Sequence, residues 1–369
     1  MDRTAIIVTY HKALSYGGCL QAYATQLLLE DAGLCPCFLD YENPYEARKK
    51  SLFAVMQRGG AREAFATLVK DVFFQGRSYR RRAFGSFAKL LPVTSESFAS
   101  VEEARDVAAD VFVVGSDQVW NPDITDGLEK AFLLEFGKAG KRVSISSSMG
   151  SHRPTEEELG LFSASLSKFD AVSVREEFAA DILASVVDKK ISVLLDPTLL
   201  IDSDRWRGKA TPVNGVKPGG YILLFMVANE PARYGGIVAQ VKRDLGLPVI
   251  QVRLNSSRPA GVDVSCPATP FEFVWLVDNA AFVVTDSFHG LAFSLNLETP
   301  FVVLPNRGNN IRLEELLALC SLSDRQMEGD GEAVTDVDYS LDFSSARRRL
   351  RERREKDLLW VEGALGDEA

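Results

Sequence analysis

Short runs apolar enough to be buried on both faces, separated by stretches with helical spacing, constrain this chain more than anything else in it. Ala5 to Thr9 is followed by a helix-patterned stretch from Gly18 to Ala32, with Leu20, Tyr23, Ala24, Leu27 and Leu28 on one face. Cys37 to Tyr41 comes next and completes a βαβ unit. After an arginine-rich, helix-patterned stretch from Gln57 to Leu91, apolar runs recur at Val111 to Val114, Arg142 to Ser146, Ala171 to Val174 and Val193 to Leu195. Strands of this kind belong to parallel sheets with helices on both faces. The Gly-, Pro- and polar-rich segment Asp202 to Gly220 interrupts the pattern, and an alternation of the same kind then restarts. Its strands are expected at Tyr221 to Val227, Val249 to Arg253, Phe282 to Thr285 and Phe301 to Leu304. Its helices are expected near Pro231 to Leu245, Pro270 to Asn279, Leu291 and Ile311 to Leu319. The expected fold class is α/β, with two Rossmann-like, doubly wound domains (1–202 and 203–327) facing across a cleft, followed by a segment 328–369.

A length of 369 residues suits two cores, and 46% hydrophobic with 25% charged residues is ordinary for a globular protein. A net charge of -9 argues against a general nucleic-acid binder while leaving room for a local basic pocket. The amino terminus runs straight into a strand without a signal-peptide pattern, and no apolar stretch reaches membrane-spanning length, so a cytoplasmic protein is expected. The five cysteines are scattered, which favours reduced and mostly buried thiols. The last segment combines an acidic portion, Glu328 to Asp342, with a helical tail. That tail carries Arg347, Arg348, Arg349, Arg351, Arg353 and Arg354 before Leu358, Leu359 and Trp360. An exposed charged helix is the plain reading, and peripheral contact with an anionic membrane is the other.

The run Thr285-Asp286-Ser287-Phe288-His289-Gly290 places a histidine where a buried strand gives way to a helix, the edge at which open α/β sheets bind ligands. Only three histidines occur, so His289 is the first candidate for proton chemistry near neutral pH. Arg307 and Arg312 follow the next strand and could complete an anion pocket there or stand as solvated loop residues. Arg175 follows another strand; its guanidinium suits carboxylate or phosphate, and surface pairing with Glu176 or Glu177 is the plainer alternative. The loop before the first helix holds Tyr16, Gly17 and Gly18, whose glycines could admit a ligand to the backbone or merely make a tight turn. The strand Val111 to Val114 leads into Gly115-Ser116-Asp117-Gln118-Val119-Trp120, either an aromatic and hydrogen-bonding platform for a sugar or a helix cap with a core tryptophan. His11 and His152 have no motif partner and read as loop residues. No metal-ligand spacing and no nucleophile elbow is present, so no metal and no resident cofactor is expected.

Together these segments resemble the polysaccharide pyruvyl transferase family. The resemblance is carried by Tyr16 to Ala24 (with Gln21), Val114 to Pro122, Ser144 to Gly150, Ser173-Val174-Arg175-Glu176, Leu195 to Leu200 with Trp206, and Thr285 to Gly290 with Pro300-Phe301. They occur in the family's order over residues 4 to about 325. The resemblance implies two GT-B-like domains and transfer of pyruvate from phosphoenolpyruvate, the co-substrate, to hydroxyls of a cell-surface polysaccharide or its lipid-linked or nucleotide-linked precursor, as a ketal. It implies an acid–base role for His289 and a donor-binding role for Arg175, with Ser287, Phe288, Gly290, Arg307 and Arg312 around the donor. It puts Tyr16, Gly17, Gly18, Gln21, Ser116, Asp117, Gln118 and Trp120 on the acceptor side. Ser287 stands where many members carry arginine, and Arg307 or Arg312 is expected to replace that charge. A glycosyltransferase using a nucleotide sugar and a non-catalytic sugar-phosphate binder are the alternative readings.

Overall fold

The computed structural model describes residues 3–42, 76–227, 235–253, 261–305, 310–327 and 337–366. The chain divides into two compact units: Met1–Ser78, Gly85–Leu200 and Lys356–Ala369 form the first, Tyr79–Phe84 and Ile201–Glu355 the second.

Along the first stretch lie β1 (Arg3–Val8), α1 (Tyr16–Asp31), β2 (Leu34–Tyr41), α2 (Gly76–Ala88), β3 (Val93–Phe98), β4 (Val111–Val114), α3 (Pro122–Thr125), β5 (Lys141–Ser144), α4 (Glu156–Leu166), β6 (Val172–Val174), α5 (Glu177–Ala184), β7 (Ile191–Val193) and α6 (Pro197–Leu200). The sheet is parallel in the order β3-β2-β1-β4-β5, with Ile6 paired to Cys37 on one side and Phe112 on the other. Bridges Val143–Ala171 and Ser147–Val174 carry the sheet on to the β6–β7 pair. All four residues of β4 are buried, as expected for a strand covered on both faces, and each such side chain contributes about 1.5–3 kcal/mol. The sequence pattern gives α1 a single apolar face, but Tyr16 through Leu29 are all buried. Within that run Thr25 Oγ1 donates to Gln21 O at 2.9 Å and Gln26 Nε2 donates to Glu30 at 2.7 Å.

The remaining elements are α7 (Ser203–Arg207), β8 (Ile222–Phe225), α8 (Gly235–Leu245), β9 (Val249–Val252), β10 (Val264–Cys266), α9 (Pro270–Asp278), β11 (Phe282–Thr285), α10 (Phe288–Leu297), β12 (Phe301–Val303), α11 (Ile311–Cys320) and α12 (Ser344–Leu365). Their sheet, β10-β9-β8-β11-β12, repeats the first order strand for strand and is again parallel. Two Rossmann-like, doubly wound sheets are therefore present. The segment Asp202 to Gly220, which interrupts the pattern in the sequence, opens with α7, capped by Asp202, whose side chain accepts from Arg205 N at 2.8 Å. Trp206 in α7 is fully buried edge-on against Phe293.

Two further expectations change. The tail is no separate segment, because α12 is one 22-residue helix whose start lies in the second unit and whose end lies in the first. Ala346, Leu350, Val361 and Leu365 are buried along it, Leu359 is exposed, and the exposed side mixes Arg348, Arg349 and Arg351 with Glu352 and Glu355. Among the described residues no helix is long and apolar enough to cross a membrane. All five cysteines are free thiols, yet only Cys19 and Cys320 are buried and Cys35 is exposed.

Candidate functional site

In each sheet the order reverses direction beside its central strand, between β1 and β4 in one and between β8 and β11 in the other. Ligands of open α/β sheets bind beyond the carboxyl ends of the strands at such a reversal. The residues singled out in the sequence fall at both places.

At the end of β11, Thr285 Oγ1 donates to Phe225 O at 2.6 Å and accepts from Ser287 N at 3.1 Å, which turns the chain directly into α10. Asp286, fully buried, accepts from Val227 N at 2.6 Å and ties the end of β8 to the same turn. Gly290 is required here, since a Cβ at that position would lie 2.2 Å from Thr285 Oγ1. Ser287 occupies the N-cap with extended backbone, but its hydroxyl makes no capping bond to the first turn. His289 sits in that first turn, 9% exposed, with its ring edge-on to Phe288 at 5.2 Å. Arg312, in the first turn of α11, places its guanidinium carbon 5.6 Å from the Phe288 ring centre. Of the two arginines expected to replace the family's missing one, Arg312 is thus brought beside Phe288, and Arg307 lies outside the described residues. The far end of α10 is fastened by the tail: Arg354 Nη2 donates to Asn296 Oδ1 at 2.9 Å, and Arg347 pairs with Glu298.

The other edge has a different chemistry. Thr9 Oγ1 donates to Ser116 O at 2.9 Å and accepts from Gln21 Nε2 at 2.9 Å, joining the ends of β1 and β4 to α1. Ser15 caps α1 by accepting from Gly18 N at 3.1 Å, and a Cβ on Gly18 would meet Ser15 Oγ at 2.8 Å, so the glycine is sterically required. Tyr16, Gly17, Gly18, Gln21 and Ser116 are all buried, whereas Asp117 and Gln118 are partly exposed. Asp117 is held in the left-handed region at φ 74°, a strained conformation for a non-glycine residue. Trp120 is fully buried, its Nε1 donating to Phe132 O at 2.9 Å and its ring edge-on to Phe162. The sugar platform expected of Trp120 is corrected to a core role.

Arg175 follows β6 with its side chain 3% exposed; Nη1 donates to Asp196 Oδ2 at 2.6 Å, and Nε lies 3.7 Å from Glu176. Burial alone would lower its pKa, but Asp196, Glu176 and Asp117 together outweigh that and raise it, so the guanidinium stays charged. The surface pairing weighed as the alternative is thus a buried one. Asp196 also accepts from Ser116 Oγ at 3.2 Å and from Thr198 N and Oγ1 at 2.9 and 2.7 Å. Glu176, fully buried, accepts from Ser148 Oγ and from Met149 N. Glu176, the next residue in the chain, is the partner the sequence offered for Arg175; Asp196 stands 21 residues away, with no local signal for the pairing.

The other two histidines lie in loops, as their sequence context indicates. His11 is buried against Phe38, with Nδ1 3.1 Å from Thr9 O, and burial pushes its pKa down to about 4 despite that bond. His152 lies 2.9 Å from Glu158 and 3.5 Å from Asp123.

The sequence model of the family described as polysaccharide pyruvyl transferase matches residues 16–308, a span that holds both edges apart from the end of β1 and Arg312. This chain belongs to that family. It is accordingly a transferase by family. No curated protein matches the sequence. Solved structures similar to it include the UDP-N-acetylglucosamine 2-epimerase of Rickettsia bellii, at 11% identity and TM-score 0.44 over 95% of this chain and 87% of that one. A putative UDP-N-acetylglucosamine 2-epimerase from Listeria monocytogenes aligns at 11% identity and TM-score 0.49 over 99% and 90%. The glycosyltransferase SnogD from Streptomyces nogalater aligns at 13% and 0.44 over 99% and 95%.

Proposed function

We propose that the protein transfers pyruvate from phosphoenolpyruvate to two hydroxyls of a sugar in a cell-surface polysaccharide or its precursor. The observation that carries this reading is the β11–α10 turn. A helix N-terminus not capped by the Ser287 hydroxyl, with His289 in its first turn and Arg312 stacked on the adjacent Phe288, is suited to a small anion that must also be protonated. Backbone N–H groups and the Arg312 guanidinium hold the carboxylate and phosphate.

His289 gives a proton to the methylene carbon of the enol, leaving an oxocarbenium carbon that the first sugar hydroxyl attacks. The proton released by that hydroxyl returns to the imidazole. Phosphate then departs with its bonding electron pair, the second hydroxyl closes the ketal, and its proton leaves with the phosphate. The products are the ketal and inorganic phosphate. The first unit's edge, with partly exposed Asp117 and Gln118, takes the acceptor hydroxyls, and Arg175 acts there through Asp196 and Ser116 as a positioning residue.

Incubation with phosphoenolpyruvate and candidate glycans, followed by mass spectrometry, should reveal a pyruvyl adduct and stoichiometric phosphate. If the melting temperature instead rises with a nucleotide sugar and not with phosphoenolpyruvate, the reading fails in favour of glycosyl transfer.

A further inference from the structure

Leu195 lies just past the end of β7, where the ladder to β6 makes its last bond from Leu194 N to Val174 O at 2.9 Å. Its own buried N–H can take no further partner from that ladder, and a buried amide requires an acceptor. The acceptor is the carboxylate of Asp357, 162 residues later in α12, whose Oδ2 lies 2.8 Å from Leu195 N. Asp357 is itself 1% exposed. Burying a carboxylate is costly, and this one sits on a helix side shared with buried Leu350, Val361 and Leu365 and with partly buried Arg353 and Arg354. From the opposite direction, Ser146 Oγ donates to Leu195 O at 2.7 Å. The residue immediately before Asp196 is therefore clamped at both its backbone polar groups by buried side chains.

We infer that Asp357 is a positioning residue for the Asp196–Arg175–Ser116 edge of the first unit. It fixes the Leu195 backbone, Asp196 follows, and Asp196 in turn fixes the Arg175 guanidinium and the Ser116 hydroxyl that precedes Asp117. Asp357 lies outside the span 16–308 matched by the family. The inference rests on the reading that this edge serves the acceptor in pyruvyl transfer.

The test uses the full chain carrying Asp357→Ala, Asp357→Asn or, as control, Leu359→Ser, an exposed position on the same helix. Two readouts need no substrate: amide exchange over residues 190–198, and modification of Arg175 by phenylglyoxal mapped by mass spectrometry. Asp357→Ala should raise both several-fold, and kcat/KM for the acceptor should fall by about 10- to 100-fold, the scale of an ångström-level misplacement. Asp357→Asn, whose amide oxygen can still accept from Leu195, should restore all three, and Leu359→Ser should change none. Should Asp357→Ala not fold, Asp357→Ser, with a hydroxyl too short to reach, takes its place. Exchange and labelling unchanged from the natural chain would overturn the inference. So would loosened exchange with unaltered kcat and KM, which would make Asp357 a stability element only. A natural chain that transfers nothing would refute the functional reading, and the Arg175 labelling would still decide the positioning role.

Discussion

The two sheets share one strand order, yet their reversal points are built from opposite materials. Beyond β11 donors predominate: first-turn backbone N–H groups, an imidazole and the Arg312 guanidinium stand beside one carboxylate, Asp286, which accepts from Val227 N. Beyond β4 a single guanidinium is surrounded by Asp196, Glu176 and Asp117, an excess of carboxylate. Identical topology therefore carries donor-rich chemistry at one edge and carboxylate-rich chemistry at the other. The fold fixes where chemistry happens, and a few side chains fix which chemistry it is.

The largest expected effect tests the donor edge. His289→Ala should lower transfer by about 10²- to 10⁴-fold while phosphoenolpyruvate still binds. Turnover left intact would remove the imidazole from the reaction. The carboxylate-rich edge is probed next by Arg175→Ala, which leaves Asp196 and Glu176 buried without their cation and should cost about 3–5 kcal/mol in denaturant unfolding. A loss below about 1 kcal/mol would show that the pair is not part of what holds that unit together.

His11 gives a third contrast, through pH. Its folded pKa near 4 lies below the ordinary 6.5, so between those values the unfolded chain binds a proton that the folded chain refuses. Stability is full above pH 6.5 and declines toward pH 4, by up to about 3 kcal/mol. The wild-type slope over that window should vanish in His11→Gln, and an equal slope in both proteins would refute the assignment. The smallest effect sharpens the comparison most. Arg312→Ala should weaken phosphoenolpyruvate binding about 10- to 150-fold, the equivalent of about 1.5–3 kcal/mol, and Arg175→Ala by less than about threefold. Calorimetric titration giving the reverse order would move the donor to Arg175.

Much of this was legible in the sequence, because central parallel strands must be apolar on both faces. β4, β8 and β11 stand out for that reason. β3 and β10 went unrecognised because they are edge strands, where Thr94-Ser95-Glu96 and Val264-Ser265 face outward and leave no apolar run to read. The His289 turn was visible because the residues that build it, Thr285 to Gly290, lie in one contiguous stretch. Of the Arg175 network only the neighbouring Glu176 could be read, since Ser116, Asp196 and Asp357 are distant from it in the chain and join it only in the folded unit. Trp120 misled because its residue type suits a sugar and a core equally well, and only the position of Phe132 O decides between them.

The bond from Leu195 to Asp357 also sets an order of events during synthesis. The first unit is interrupted by Ile201–Glu355, a stretch of 155 residues (355 − 200) that must leave the ribosome before Asp357 appears. At ordinary elongation rates that interval lasts on the order of ten to thirty seconds. Until then the nascent first unit lacks the buried acceptor for the amide beside Asp196, so that edge is completed only once the last stretch of the chain has been made.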